Sequence, residues 1–274
     1  MRVGIIGGTG KMGSLFTGVF ERAGHEVLVC GRNTTLTCRD LAQECHLVVV
    51  SVPIRDTVAV IQKIAPLLSE QQVICDLTSL KTGPVNAMME SSASVIGLHP
   101  MFGPGVPSLR GQTIVATPAR CSDKTLHDLL TIFEREGAEI TLSTPEEHDR
   151  VMALVQGLTH FVTLMVADTM RRLSTSPLQT EPYMSPVYQI EMGLVGRLLS
   201  QDPDLYGDML RLNPFVRPVL GACEESLKEI REMVLANNAE AFREIFKKNA
   251  LNFGEYSAKA VQETDYLIAA MVSR

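Results

Sequence analysis

The sequence predicts an α/β protein: a Rossmann-type, doubly wound parallel sheet followed by an all-helical domain. Three observations carry that reading. Short apolar runs alternate with helix-period segments from Arg2 to Leu142, glycines collect after the first run in "GGTGKMG", and strand signals stop beyond residue 142.

The elements follow in order. "VGII" is a strand, the glycines a tight turn, and the periodic segment to about Ala23 a helix. "EVLVC" (26–30) and "LVVVSVP" (47–53) are continuous apolar runs, which suit parallel strands covered on both faces. Helices over 54–68 and 83–90 alternate with strands at 72–76, 94–98 and 112–117, then a helix at 123–136 and a strand at 138–142. At residue 143 the pattern changes. Thr144 stands at an N-cap, Pro145 at the first helical position and Glu147 three residues on, which predicts a capping box opening a helix to Arg171 or Arg172. "STSPLQTEPYMSP" reads as a loop and the remainder as helices, so the domains are placed at 1–143 and 144–274.

Composition narrows the function classes. With 45% hydrophobic and 20% charged residues the chain reads as globular, and a net charge of −6 argues against a nucleic-acid surface. Polar residues and glycines interrupt the apolar stretches, so no membrane span is expected, and Met1 leads into a strand where a signal peptide would need a longer apolar core. The six cysteines form no CxxC pair and predict buried free thiols in a cytoplasmic, reducing compartment. Cys38, Cys45 and His46 lack zinc-ligand spacing, and no metal is expected.

Gly8, Thr9, Gly10, Lys11, Met12 and Gly13 form a GxGxxG sequence between a strand and a helix, the context in which a dinucleotide pyrophosphate meets a helix N-terminus. NAD-selective sites usually end the second strand with an acid. Here Gly31 and Arg32 stand there, and Arg32 with Thr34 either grips a 2′-phosphate or is a solvated loop arginine. The reading favours NADP, with NAD as the alternative. Ser51, Val52 and Pro53 end the third strand and are expected to line the nicotinamide half of the groove.

His99, in "GLHPMFGP", follows a strand and is expected at the carboxyl edge of the sheet with Ser79 and Lys81 of "DLTSLKTGP". Each has a plain alternative: a structural histidine, a helix-capping serine, a solvated lysine. Together beside a nicotinamide they suit hydride transfer, a neutral imidazole taking a hydroxyl proton as hydride leaves the same carbon. Asp149, Gln156, Thr159, His160 and Thr163 are spaced as one polar stripe on the long helix, facing either solvent or a wet cleft. Arg197 is the only cation in an apolar helical segment. A partly buried guanidinium there needs a carboxylate, either a salt-bridge partner or an anionic substrate.

"GGTGKMG", "VVVSVPI", "DLTSLKTGP", "GLHPMFGP", "EEHDRVMALVQGLTHF" and "SPVYQIEMGLVGRLLSQDPDLYGD", in this order, resemble the prephenate dehydrogenase family, closest to its enterobacterial form. The resemblance implies oxidative decarboxylation of prephenate to 4-hydroxyphenylpyruvate, or of arogenate to tyrosine, and a homodimer built by the helical domain. It assigns His99 as the catalytic histidine at the ring hydroxyl, Ser79 as its support and Arg197 as the binder of the ring carboxylate. His160, Lys81, Gln156 and Tyr206 are read as substrate-proximal. The enterobacterial members use NAD with an acid after the second strand, a pattern from which Gly31 and Arg32 depart. Competing readings are a β-hydroxyacid dehydrogenase or imine reductase, disfavoured because no lysine occurs between Pro145 and Met170, and a non-catalytic NADP(H)-sensing protein.

Overall fold

A computed structural model describes residues 1–273 and divides them into two compact units, one of Met1–Val155 with Asp204–Phe215, the other of Gln156–Pro203 with the chain from Val216 onward. In the first unit seven strands form one sheet: β1 (Arg2–Ile6), β2 (Glu26–Cys30), β3 (Leu47–Val50), β4 (Val73–Asp76), β5 (Ser94–Pro100), β6 (Thr113–Arg120) and β7 (Glu139–Leu142). Their order is β2-β1-β3-β4-β5-β6-β7. β1 to β5 are parallel, whereas β6 pairs antiparallel with β5 and β7 runs parallel to β6. The expectation of an all-parallel sheet therefore fails at β5–β6. Residues 101–112 form turns with no helix, and without a covering helix the chain doubles back instead of crossing over.

Each face of the sheet has its own core, because successive side chains of a strand point to opposite sides. Val3, Ile5, Val49, Ile96 and Leu98 pack with Phe16 and Phe20 of α1 (Lys11–Arg22) and with Phe133. Ile6, Val48, Val50 and Ile74 pack with α2 (Cys38–Glu44), α3 (Ile54–Ile64) and α4 (Thr82–Met88). The first face is completed by α5 (Asp123–Arg135), where Phe133 meets the Phe16 ring edge-on at 5.7 Å. α2 is a helix that the sequence reading did not anticipate. It spans seven residues, and its capping box uses Asp40 where Glu or Gln is usual.

After β7 the chain is helical from Pro145 to Arg172: α6 (Pro145–Met152), a π-helical turn (Ala153–Leu158) and α7 (Thr159–Arg172). Thr144 caps α6 as predicted by accepting from the Glu147 amide at 3.2 Å, while the Glu147 carboxylate turns to Ser143 Oγ at 3.5 Å. By length and apolarity this 28-residue stretch would suffice to cross a membrane, against the expectation that none would. Its first turns, however, carry buried polar groups of the first unit.

The compact division falls beyond the residue-143 boundary read from the sequence. α8 (Pro177–Thr180), α9 (Pro186–Leu199) and α10 (Pro203–Leu212) follow, and α10 belongs to the first unit. Arg55 of α3 binds Asp208 at 2.9 Å and Asp204 at 3.0 Å, and Asn213 Nδ2 donates to the Asp149 carbonyl at 2.8 Å. Within the second unit α7 packs on α9, and α9 on α13 (Tyr256–Val272), while α11 (Val216–Leu235) packs on α12 (Ala239–Phe253). Leu178, Tyr183, Phe246, Leu251 and Tyr266 of this unit lie exposed.

Candidate active site

The carboxyl ends of β1, β2 and β3 carry the predicted nucleotide residues. Gly7 turns the chain at φ +84°, where a Cβ would lie 2.1 Å from the Ser51 carbonyl oxygen, so β1's exit and β3's end are in contact. A Cβ on Gly13 would lie 2.4 Å from the Gly7 carbonyl, which lets α1 start against the loop. Gly10 is the N-cap of α1 and offers no side-chain hydrogen bond, leaving the first-turn amides to other acceptors. Thr9, Gly10 and Lys11 are exposed, Met12 is half-buried, and Gly8 and Gly13 are buried. These backbone features fit a pyrophosphate.

At the end of β2, Gly31 abuts Thr9: a Cβ there would sit 2.4 Å from the Thr9 hydroxyl, so an acid at this position would have to displace that side chain. Arg32 is exposed. Thr34 is engaged within its own loop, accepting from the Gly31 amide at 2.8 Å and donating to the Leu36 carbonyl at 2.9 Å, which makes it a loop former. Ser51 and Val52 are half-buried and Pro53 is exposed at the adjoining edge.

His99 lies inside β5, paired with Val115, one residue deeper than a strand ending at Leu98 would put it. It is 3% exposed, and its Nδ1 meets His148 Nε2 at 2.8 Å. His148 Nδ1 in turn meets Asp149 Oδ1 at 2.8 Å. Asp149 is buried and accepts backbone amides from Lys81 at 2.7 Å and Thr82 at 2.8 Å. Burial pushes its carboxyl up, but His148, Thr82 and Lys81 donate to it and together hold it below the usual range.

These contacts dictate the tautomers. A carboxylate accepts only, so His148 carries its hydrogen on Nδ1 and presents a lone pair at Nε2. His99 must then donate from Nδ1, which leaves Nε2 as its basic nitrogen. Burial, the neighbouring His148 and the Lys81 charge hold His99 well below its ordinary value, so it is neutral at pH 7. Burial also lowers His148, against the opposing pull of Asp149.

Lys81 occupies a different place from the substrate contact expected of it. Its side chain is fully buried, and its ammonium binds the Asp76 carboxylate and the Leu98 carbonyl, the latter at 2.7 Å. It therefore braces β4 and β5 beneath His99. Burial lowers its pKa while Asp76 opposes the shift. Ser79 is half-buried in the β4–α4 loop at the same edge.

The remaining predicted residues are divided between the two units. Gln156, in the π-helical turn, and His160, in α7, are half-buried in the second unit, and burial lowers the His160 pKa. The stripe expected from Asp149 to Thr163 is broken, because a π turn changes the helical spacing between Asp149, which is buried, and Thr159, which is exposed. Arg197 is exposed on α9, where partial burial was expected. Tyr206 is half-buried on α10 in the first unit. Sequence reasoning missed His148, whose one signal was its place beside Asp149 in the first turns of a capped helix.

Comparison with known proteins gives the family. Residues 22–142 match the family model described as prephenate dehydrogenase, nucleotide-binding domain, and residues 144–248 the one described as prephenate dehydrogenase, dimerization domain. A probable arogenate/prephenate dehydrogenase of Methanocaldococcus jannaschii is 32% identical over all of this chain and 66% of its own length. The T-protein of Haemophilus influenzae is 31% identical over 97% of this chain and 71% of its own. The chain thus spans about two thirds of these relatives. Among solved structures, the Aquifex aeolicus prephenate dehydrogenase with hydroxyphenyl propionate and NAD+ shares the fold at a TM-score of 0.72 and 22% identity, covering 92% of this chain and 96% of its own. Synechocystis arogenate dehydrogenase does so at 0.72 and 18%, covering 93% of this chain and all of its own. With both family models matched in sequence order along most of its length, the chain belongs to the prephenate dehydrogenase family.

Proposed function

We propose that this protein catalyses the oxidative decarboxylation of prephenate to 4-hydroxyphenylpyruvate in tyrosine biosynthesis, using NADP in preference to NAD. The observation that carries the proposal is the buried His99, kept neutral chiefly by that burial and held by His148 and Asp149 in the tautomer whose basic nitrogen is Nε2.

The nucleotide would be held by Gly8, Thr9, Gly10, Lys11, Met12 and Gly13, with Arg32 at a 2′-phosphate and Ser51, Val52 and Pro53 along the nicotinamide half; when bound, it supplies the hydride acceptor. His99 Nε2 takes the hydroxyl proton as hydride leaves the carbon that bears the hydroxyl. The ring carboxylate then departs as carbon dioxide and the ring becomes aromatic. Arg197 is assigned to that carboxylate, and Ser79 to the hydroxyl and His99. Gln156, His160 and Tyr206 are assigned to the rest of the substrate. For Lys81 the proposal is a role behind the strand, since its ammonium is committed to Asp76 and Leu98. His148 and Asp149 act through His99 by fixing its tautomer and steadying the imidazolium that forms, as the acid of a catalytic triad does. The exposed apolar residues of the second unit support a homodimer through it.

Arogenate is the second substrate to test, since the Methanocaldococcus relative is named for both. The deciding experiment follows reduced nicotinamide at 340 nm with prephenate and arogenate crossed against NAD and NADP. Turnover with prephenate and NADP is the expected result. Turnover only with arogenate or only with NAD would overturn that part of the assignment, and none in any of the four, from folded protein, would overturn the reaction.

A further inference from the structure

Of the six cysteines, two stand together. Cys30 Sγ and Cys38 Sγ lie 3.3 Å apart, Cys30 buried and Cys38 partly exposed. Both are held by backbone structure. Cys30 ends β2 and its carbonyl accepts from the Gly7 amide at 2.8 Å; Cys38 opens α2 directly after its N-cap Thr37, inside the Thr37–Asp40 capping box. The loop between them is closed by the Thr34 hydroxyl and carries Arg32.

We propose that Cys30 and Cys38 form an oxidisable dithiol, Cys38 the attacking thiol and Cys30 the resolving one, which closes a disulfide across the loop Gly31–Thr37. The oxidant is a hydroperoxide. The Cys38 thiolate attacks the terminal peroxide oxygen and the O–O bond breaks; the oxygen becomes a sulfenic acid on Cys38, and the alkoxide leaves as an alcohol after taking a proton. The Cys30 sulfur then attacks the Cys38 sulfur, and hydroxide departs as water with the Cys30 proton. Two thiols and one hydroperoxide thus give one disulfide, one alcohol and one water. The sulfurs need to approach from 3.3 Å to about 2.05 Å.

The microenvironments assign the two roles. The contact with Cys30, the amide at its own helix start and the nearby Lys63 charge outweigh burial and bring Cys38 down to about 6, which favours its thiolate at pH 7. Cys30 is raised by the same contact and by burial. Burial pushes Cys45 up to about 11 and also raises Cys75 and Cys121, so these three stay protonated.

The test uses the reduced full chain. A short iodoacetamide pulse at pH 7 with peptide mass mapping should label Cys38 at least ten-fold faster than Cys121 or Cys223. On a separate, unalkylated sample, stoichiometric hydrogen peroxide should remove 2 Da and join the Cys30 and Cys38 peptides, reversibly with dithiothreitol. In Cys30→Ser, oxidation should stop at a Cys38 sulfenic acid trapped by dimedone. Equal labelling, or a 2 Da loss mapped to another pair, would overturn the proposal from the wild-type protein alone. A further readout rests on the NADP reading of Arg32: NADP affinity should change three-fold or more on oxidation. Unchanged affinity with the bridge formed would overturn that coupling and leave the dithiol standing, whereas failure of NADP to bind the reduced protein would count against the cofactor assignment only.

Discussion

The Nδ1 of His99 donates to the Nε2 of His148 across 2.8 Å, so the His99 ring is oriented by a second ring that faces a carboxylate. The two imidazoles cross nearly edge-on, at 71° between their planes. One consequence concerns where positive charge rests after proton transfer. His99 lies in surroundings hostile to a cation, while His148 touches Asp149. Shifting the Nδ1 hydrogen of His99 toward His148 brings the charge next to its counterion.

His99→Asn should fold and bind nucleotide yet lose turnover by about 10²–10⁴-fold, the usual share of a general base. Steady-state kinetics beside nucleotide titration checks this; retained turnover would remove His99 from the role.

Asp149→Asn and His148→Gln should lower kcat on the order of 10–100-fold, less than loss of the base itself. They should also move the acid limb of the kcat/KM profile, which in the wild type should fall below pH 6.5 because His99 is depressed. A uniform loss of activity with an unmoved limb would reduce the pair to structural support.

Stability should fall on the acid side. His99 and His148 both have folded pKa values lowered by burial. Above about pH 6.5 both are neutral whether folded or not. Below it the unfolded chain binds protons that the folded chain refuses, so unfolding gains up to about 1.4 kcal/mol per histidine per pH unit until the folded values are reached. Urea midpoints between pH 7.5 and 5.5 measure this, and a flat profile would contradict the burial of both rings.

Lys81→Met should cost about 3–5 kcal/mol, because it strands the buried Asp76 carboxylate. The double variant Asp76→Leu/Lys81→Met should recover part of that loss. Equal midpoints for the wild type and the single variant would show that the pair is dispensable.

Arg32→Ala should weaken NADP more than NAD, and Arg197→Gln should raise KM with a smaller effect on kcat. Nucleotide titrations and substrate saturation curves read these separately. Equal losses for both nucleotides, or an unchanged KM, would withdraw the respective assignment.

Most of the sheet was legible because buried parallel strands write themselves as unbroken runs such as Leu47–Val50, and the glycine turn because Gly7 and Gly13 admit no side chain. The antiparallel return of β6 was hidden: strand direction leaves no trace in a run like "TIVAT", and only the lack of a helix over 101–112 hints at it. His99 was legible from its place after a strand. His148 was not, since its partner lies 49 residues away and a histidine in a helix has no periodic signature. Lys81 shows the same limit in reverse. Its commitment to Asp76 depends on a loop folding back, and from sequence a lysine after a strand looks solvated. Arg197 stood out as a lone cation, but sequence alone could not show that its side of α9 lies open.

Asn213 reaches back 64 residues to hold the Asp149 carbonyl, and Arg55 waits for Asp208, 153 residues downstream. The unit that carries His99 is therefore interrupted in sequence, with Gln156–Pro203 lying between its two pieces. During synthesis the sheet can form early, but the Asp149 carbonyl next to the histidine pair gains its Asn213 partner only after residue 213 has emerged. A fragment ending at residue 143 or 155 would hold the glycine turn and the strands while lacking Asn213 and the partners of Arg55. Nucleotide binding and a competent base should thus mature at different times, and separate in truncated chains.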